Sequence, residues 1–183
     1  MNITIISGSP RHESITIRVA QFLKKYLTEK YPQHQYDFVA MNEYNLPFVE
    51  KVWSTANDAP AEFKLLAEKI FSTDAFVLVS PEYNGSYSAS MKNLLDHFPK
   101  QARKTFGIVT ASPGGMGGIR AAQQMQNMIC GLFGIPSPAM LIVPSVDKKF
   151  DGNANLVDEA FANSIHTFTH EFIWLAEAVK NSK

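Results

Sequence analysis

Three short segments hold the residue types that could do chemistry: SGSPRHESIT (7–16), SPEYNGSYSAS (80–90) and ASPGGMGG (111–118). The first offers the hydroxyls of Ser9, Ser14 and Thr16, the guanidinium of Arg11, and Gly8 for close backbone approach. It opens onto a helical pattern, and the free N–H groups and dipole of a helix start favour an anion. Arg11 would add a forked, charge-assisted contact. Neither G-x-G-x-x-G nor the lysine of G-x-x-x-x-G-K-[ST] is present, so a terminal phosphate is better matched than a pyrophosphate. Taken alone, the segment reads equally as a strand–helix turn with capping serines and an exposed arginine.

In the second segment Pro81, Glu82, Tyr83, Asn84 and Gly85 follow an apolar run. Proline and glycine fix the path there, so backbone groups could face the edge of a flat ring. A β-turn with a half-buried tyrosine is the plainer alternative. The third segment places Gly114, Gly115, Gly117 and Gly118 within five residues, behind Ser112 and Pro113. A planar ligand could lie against such backbone, or the loop could simply be mobile. Together the three describe a site for a phosphate-tailed planar cofactor.

The elements that must position these loops alternate along the chain. Residues 3–6 form a β-rich run, then Ile15, Val19, Phe22, Leu23 and Tyr26 fall on one helical face. Residues 36–40 make a second strand, and a helix starting at Asp58, Ala59 and Pro60 buries Phe63, Leu66, Ala67 and Ile70. Residues 75–79 (AFVLV) lack alternation, as parallel strands covered on both faces do. A helix over 89–98, a strand over 105–110, a helix with Ala122, Met125, Ile129 and Leu132 on one side, and a strand over 139–143 follow. The last helix is expected to bury Phe161, Ile165, Phe168, Phe172, Leu175 and Val179. Five strand–helix units argue for one α/β domain over residues 1–183 with a parallel sheet. Ligands of such sheets sit beyond the carboxyl ends of the strands, where the three segments fall. The irregular stretches 41–57 and 144–155 are long enough to cover a pocket or a partner surface.

Composition narrows the function classes. Of 183 residues 45% are hydrophobic, and 17 basic side chains balance 17 acidic ones. Residues 1–97 carry nine basic and eleven acidic side chains, and residues 98–183 eight and six, so no basic surplus points to nucleic acid. The single cysteine, Cys130, excludes an internal disulfide and any multi-cysteine metal site, and its apolar helical setting predicts a buried structural thiol. His166 and His170 lie four apart without a third ligand, so no metal is expected. His97 reads as a helix-end residue capping carbonyls rather than a proton donor, and Met125 and Met128 as core. No apolar run reaches the ~18–20 residues of a membrane span. The start lacks the basic residues of a signal peptide, and the cytoplasm is the expected location.

Gly8-Ser9-Pro10-Arg11 with Ser14, then PEYNGS (81–86), Lys92-Asn93 and Asp96, then Ser112 with its paired glycines, resembles the NADPH-dependent FMN reductase family. This is the flavodoxin-like group that includes azoreductases and chromate or quinone reductases. The resemblance runs from residue 3 to about residue 138. It implies a three-layer α/β sandwich whose five-stranded parallel sheet has the order 2-1-3-4-5, with helices on both faces. It also implies FMN and NADPH (or NADH) as cofactors. By this resemblance Ser9, Arg11, Ser14 and Thr16, with the Ile15 backbone, would hold the FMN phosphate. Pro81, Glu82, Tyr83, Asn84 and Gly85 would border the flavin ring, and Ser112 with Gly115 would close its far side.

The activity implied is ping-pong hydride transfer from NAD(P)H through bound FMN to a small acceptor such as a quinone, an azo compound or free flavin. No catalytic side-chain acid or base is required, and Tyr83, Asn84, Tyr87 and Met116 would shape the substrate face. A homodimer or homotetramer is implied, in which a neighbour helps wall the site. The cluster Lys100, Arg103 and Lys104 reads as a solvated loop that could also attract the NADPH phosphate. Departures fall at His97, at Met125-Gln126 and at Tyr87-Ser88-Ala89, touching assembly and pocket wall more than the FMN loops. Two other readings stand beside the enzyme: a flavodoxin-type electron carrier, which would usually be acidic and lack an arginine in its phosphate loop, and a non-catalytic flavin-binding module.

Overall fold

The computed structural model describes residues 1–182. Its centre is a parallel sheet of β1 (Asn2–Ser7), β2 (Gln35–Ala40), β3 (Ala75–Pro81), β4 (Thr105–Ala111), β5 (Ile135–Pro136) and β6 (Leu141–Val143). The strand order is β2-β1-β3-β4-β5, with β6 also on β4. The registers Ile3↔Tyr36, Ile3↔Ala75 and Ala75↔Thr105 align the carboxyl ends of the three central strands. Helices α1 (Thr16–Lys30), α2 (Lys64–Ser72), α3 (Ala89–Asp96), α4 (Ile119–Gly131), a short α5 (Val146–Lys149) and α6 (Ala162–Asn181) complete the layers.

Successive strand residues point to opposite faces, and here both faces are apolar. Ile3, Ile5, Val77, Val79 and Val109 pack against α1 and α6. Ile6, Phe76, Leu78, Phe106 and Ile108 pack against α2, α3 and α4. A Cβ on Gly107 would meet Phe168 Cζ at 2.9 Å and Phe172 Cδ2 at 3.0 Å, so a bare backbone at mid-β4 lets α6 lie close. The α6 stripe is Ile165, Phe168, Thr169, Phe172, Ile173 and Ala176. Phe161, Leu175 and Val179, expected in that stripe, are only half-buried on its flanks.

Two further expectations need correction. The fifth strand is not one run over 139–143 but two pieces on β4, with Ile135 opposite Thr105 and Leu141 opposite Val109. Ile135 and Ser137 N–H donate to Lys104 O and Phe106 O at 2.9 and 2.8 Å, and pairing resumes at Leu141 only after the chain has left the register of the first piece. Cys130 is exposed. It follows Ile129, the last residue of the buried α4 face, and one residue turns the side chain about 100° toward solvent. No helix among the described residues is long and apolar enough to cross a membrane.

At the amino end of the sheet Asp74 accepts the Asn2 N–H at 3.0 Å and Lys180 Nζ at 2.6 Å. Burial disfavours its charged form, but the Lys180 ammonium and the Asn2 N–H outweigh burial and hold the carboxyl below its ordinary value of 3.8. The folded protein therefore binds this proton less tightly than the unfolded chain. The resulting stability is complete above the unfolded value and is lost as pH falls through the folded one. Asp74→Asn is expected to cost about 1 kcal/mol at pH 7 and to converge with the wild type in acid, once the pH has fallen below the lowered folded value. Urea unfolding across pH checks this, and parallel curves over the whole range would contradict it.

Candidate functional site

The loop after β1 is held at its first residue. Gly8 N–H donates to Val79 O at 2.8 Å, and Gly8 O accepts from Ser88 Oγ at 2.5 Å and Ser90 Oγ at 2.7 Å. A Cβ on Gly8 would meet Met91 Cε at 2.6 Å, Ser88 Oγ at 3.0 Å and Met91 Cβ at 3.1 Å, so only glycine lets the loop reach the start of α3. Beyond it Ser9 Oγ accepts from Arg11 N–H at 3.4 Å, and Ser14 Oγ accepts from Ile17 N–H at 3.3 Å. Thr16 is the first residue of α1 and is buried. The Arg11 guanidinium lies over the Tyr83 ring, 5.1 Å from its centroid.

The loop after β3 is a built turn. Tyr83 and Ser86 exchange backbone hydrogen bonds of 2.8 and 3.0 Å around Asn84 (φ 50°) and Gly85 (φ 79°). Two left-handed residues between exchanged bonds make a two-residue hairpin turn, the conformation that Asn-Gly favours. Ser80 Oγ accepts from Ser88 N–H at 3.0 Å and donates to Pro81 O at 2.9 Å, bracing the turn from beneath. Asn93 Nδ2 donates to Pro47 O at 2.8 Å, attaching the 41–57 segment to α3.

The loop after β4 is tied across the sheet edge. Ser112 N–H donates to Val143 O at 3.1 Å, Val146 N–H to Ser112 O at 3.2 Å, and Gly114 N–H to Ser112 Oγ at 3.0 Å. Gly117 (φ 61°) and Gly118 (φ 90°) turn the chain into α4.

These loops enclose a cleft of about 240 Å³, and the structure brings Ser9, Arg11, Ser14, Ile15, Thr16, Pro81, Glu82, Tyr83 and Ser112 to its walls. Asn84, Gly85, Gly115 and Met116 stand outside this lining; Gly115 faces open space and Met116 is exposed. Tyr87 is placed elsewhere, in a groove between α3 and α4 with Lys92 and Asp96. Burial and the nearby Asp96 carboxylate push its phenol up. Pro113, named with Ser112 at the head of the glycine segment, lines the cleft too, and so do Glu13, Ala111 and Val146, to which the sequence assigned no role. Val146 had a signal, as an apolar residue in an irregular segment; Glu13 had none.

Lys100, Arg103 and Lys104 precede β4 at its amino end and are not among the residues lining the cleft. A seven-residue strand separates the two ends by roughly 20 Å. Lys100 Nζ instead donates to Gly131 O at 2.6 Å. His97 caps α3: it is buried, its Nδ1 bonds Asn93 O at 2.7 Å, and its ring centroid lies 4.6 Å from that of Trp53. His166 and His170 are exposed, and no group of three potential metal ligands occurs among the described residues.

A hydroxyl-rich loop with an arginine, opening onto a helix start at the carboxyl edge of a 2-1-3-4-5 parallel sheet, defines a flavodoxin-like mononucleotide-binding protein. The family model for NADPH-dependent FMN reductase matches residues 1–147, and the chain belongs to that family. It is 30% identical to the FMN-dependent NADPH-azoreductase of Staphylococcus saprophyticus over 189 residues, covering 97% of this chain and 95% of the relative. The corresponding protein of Staphylococcus aureus is 28% identical over 180 residues, 92% of each chain. Among solved structures, the flavoenzyme NAD(P)H:(acceptor) oxidoreductase FerB from Paracoccus denitrificans superposes with a TM-score of 0.80 at 23% identity, over 97% of both chains. A flavodoxin variant from Pseudomonas aeruginosa superposes at 0.59 with 16% identity, over 94% of this chain and 99% of that one.

The steric argument at Gly8 gives a contrast pair. Gly8→Ala is expected to lose about 1–3 kcal/mol of stability by forcing the loop off α3. Gly115→Ala, with nothing within 4 Å of the new Cβ, should stay within about 0.5 kcal/mol of wild type. Urea midpoints measured side by side decide it, and equal losses at both positions would contradict it.

Proposed function

We propose that this NAD(P)H-dependent FMN oxidoreductase seats the FMN phosphate in the loop after β1 and the flavin ring between the 83–86 turn and the 112–118 loop, and reduces small acceptors by a ping-pong cycle. The observation that carries the reading is the convergence of Ser9, Arg11, Ser14 and Thr16 on one cleft at the start of α1. A phosphate dianion matches that donor set: hydroxyls, a guanidinium and first-turn N–H groups that a helix cannot satisfy internally. When bound, FMN supplies the hydride and electron chemistry that no side chain of this site offers. The protein's part is to hold and orient. Arg11 serves twice, as a phosphate ligand and as a cation over Tyr83 that keeps that ring in place. Tyr83, Asn84 and Met116 border the face left to NAD(P)H and the acceptor in turn. The azoreductase relatives support NADPH as donor and azo compounds as acceptors.

The fold alone does not separate a reductase from a carrier, since the flavodoxin shares it. Arg11 and the balance of 17 basic against 17 acidic residues favour the enzyme. We read residues 1–183 as one working unit in the cytoplasm and as a homodimer or homotetramer. The exposed apolar run of Phe48 (87% exposed), Val49 and Val52 on the segment held by Asn93 is the surface that supports assembly. Light scattering that returns a monomer would contradict the assembly.

Steady-state rates with NADPH and an azo dye varied together should give parallel double-reciprocal lines; intersecting lines would overturn the ping-pong cycle. Arg11→Ala should weaken FMN by roughly 10–100-fold, the order of one lost charge-assisted contact, and leave riboflavin affinity within about threefold.

A further inference from the structure

Helix α4 begins without a cap of its own. Its N-cap residue is Gly118, which has no side chain to accept a first-turn N–H. The glycine is required there: its φ is 90°, and a Cβ would meet Thr110 Cβ at 2.9 Å and Thr110 Oγ1 at 3.2 Å. The helix start is thus pressed against β4 at the cost of its cap. The missing acceptor comes from 39 residues upstream, where Glu82 Oε2 receives the Ala121 N–H at 3.3 Å. Glu82 Cβ lies 3.6 Å from the Cβ position of Gly118, so the two loops also touch along the side chain. Arg120 is peripheral, with its Nη1 3.7 Å from Glu82 Oε1 and its side chain 60% exposed.

We infer that Glu82 is a positioning residue whose carboxylate caps α4 and thereby couples the turn after β3 to the glycine loop after β4, fixing the gap the flavin ring enters. This rests on the flavin reading above. Glu82 immediately precedes Tyr83 and the turn, while Ala121 lies three residues past the end of the glycine loop. A carboxylate at a helix amino end is held by the N–H groups and by the helix dipole together. The link therefore spans the ring site rather than the phosphate cradle. Losing it should weaken flavins with and without a phosphate alike.

The test titrates apo-protein with FMN and, separately, with riboflavin, following quenching of flavin fluorescence. Glu82→Ala should weaken both by about tenfold or more, the order of one charge-assisted hydrogen bond, with their ratio unchanged. Glu82→Gln keeps an acceptor oxygen at the same reach but loses the charge, and should fall between wild type and Glu82→Ala for both flavins. Glu82→Asp keeps the charge but is one methylene short, and should resemble Glu82→Ala. Arg120→Ala should match wild type, as exposed ion pairs contribute little. Should Glu82→Ala fail to fold by circular dichroism, the Gln and Asp variants carry the comparison. The inference is overturned if the Ala and Asp variants bind as wild type, if only FMN is weakened, or if Arg120→Ala loses as much as Glu82→Ala. A wild-type chain that binds neither flavin sinks the flavin reading itself, a visibly different result.

Discussion

The Gly8 carbonyl accepts hydrogen bonds from the hydroxyls of Ser88 and Ser90, which lie 80 and 82 residues away. Through that one backbone oxygen the loop that would grip a phosphate is fixed to the helix that carries the ring-side turn. Two hydroxyls on a single buried acceptor leave the loop little room to drift. The absence of a side chain at Gly8 is what makes the approach possible. Ser80 repeats the device one layer down, bonding across the base of the same turn. The cleft is therefore shaped before any ligand arrives, as tight binding of a rigid cofactor favours.

Much of this was legible in the sequence because the signals were local. An unalternating apolar run such as 75–79 belongs to a strand covered on both faces, and it is buried throughout. Loop chemistry after β1, β3 and β4 needs only residue type and place in the alternation, and nine of the twelve cofactor-loop residues line one cleft. What stayed hidden depended on relations between distant residues. The split of the last strand is a change of register on β4, from Pro136 opposite Phe106 to Leu141 opposite Val109, which no local pattern announces. Cys130 and the flanks of α6 turn on about one residue of helix rotation, and an apolar pattern does not fix that angle. Tyr87 follows the turn directly, yet its side chain takes the other side of α3. The capping of α4 by Glu82 has no sequence spacing at all.

The polar lining of the cleft consists of hydroxyls, the Arg11 guanidinium, the carboxylates of Glu13 and Glu82 and the Tyr83 phenol. His97, buried at the far end of α3, is spent on a carbonyl of its own helix and on Trp53. That arrangement suits a protein whose cofactor brings the reactivity and whose own work is holding, orienting and leaving one face open. The same sheet order serves reductases and electron carriers, so function resides in the loops rather than in the fold. Arg11 is the residue that most separates the two uses, since it places a positive charge on the cleft wall and over the Tyr83 ring at once.

The most direct measurement is an anaerobic titration of the FMN-loaded protein with NADPH, following the visible absorbance of oxidised flavin. Complete bleaching at one equivalent of NADPH per flavin is the result expected of a reductase with this site. Bound flavin that NADPH leaves coloured, while dithionite bleaches it, would contradict that account and make the chain a carrier or a binding module.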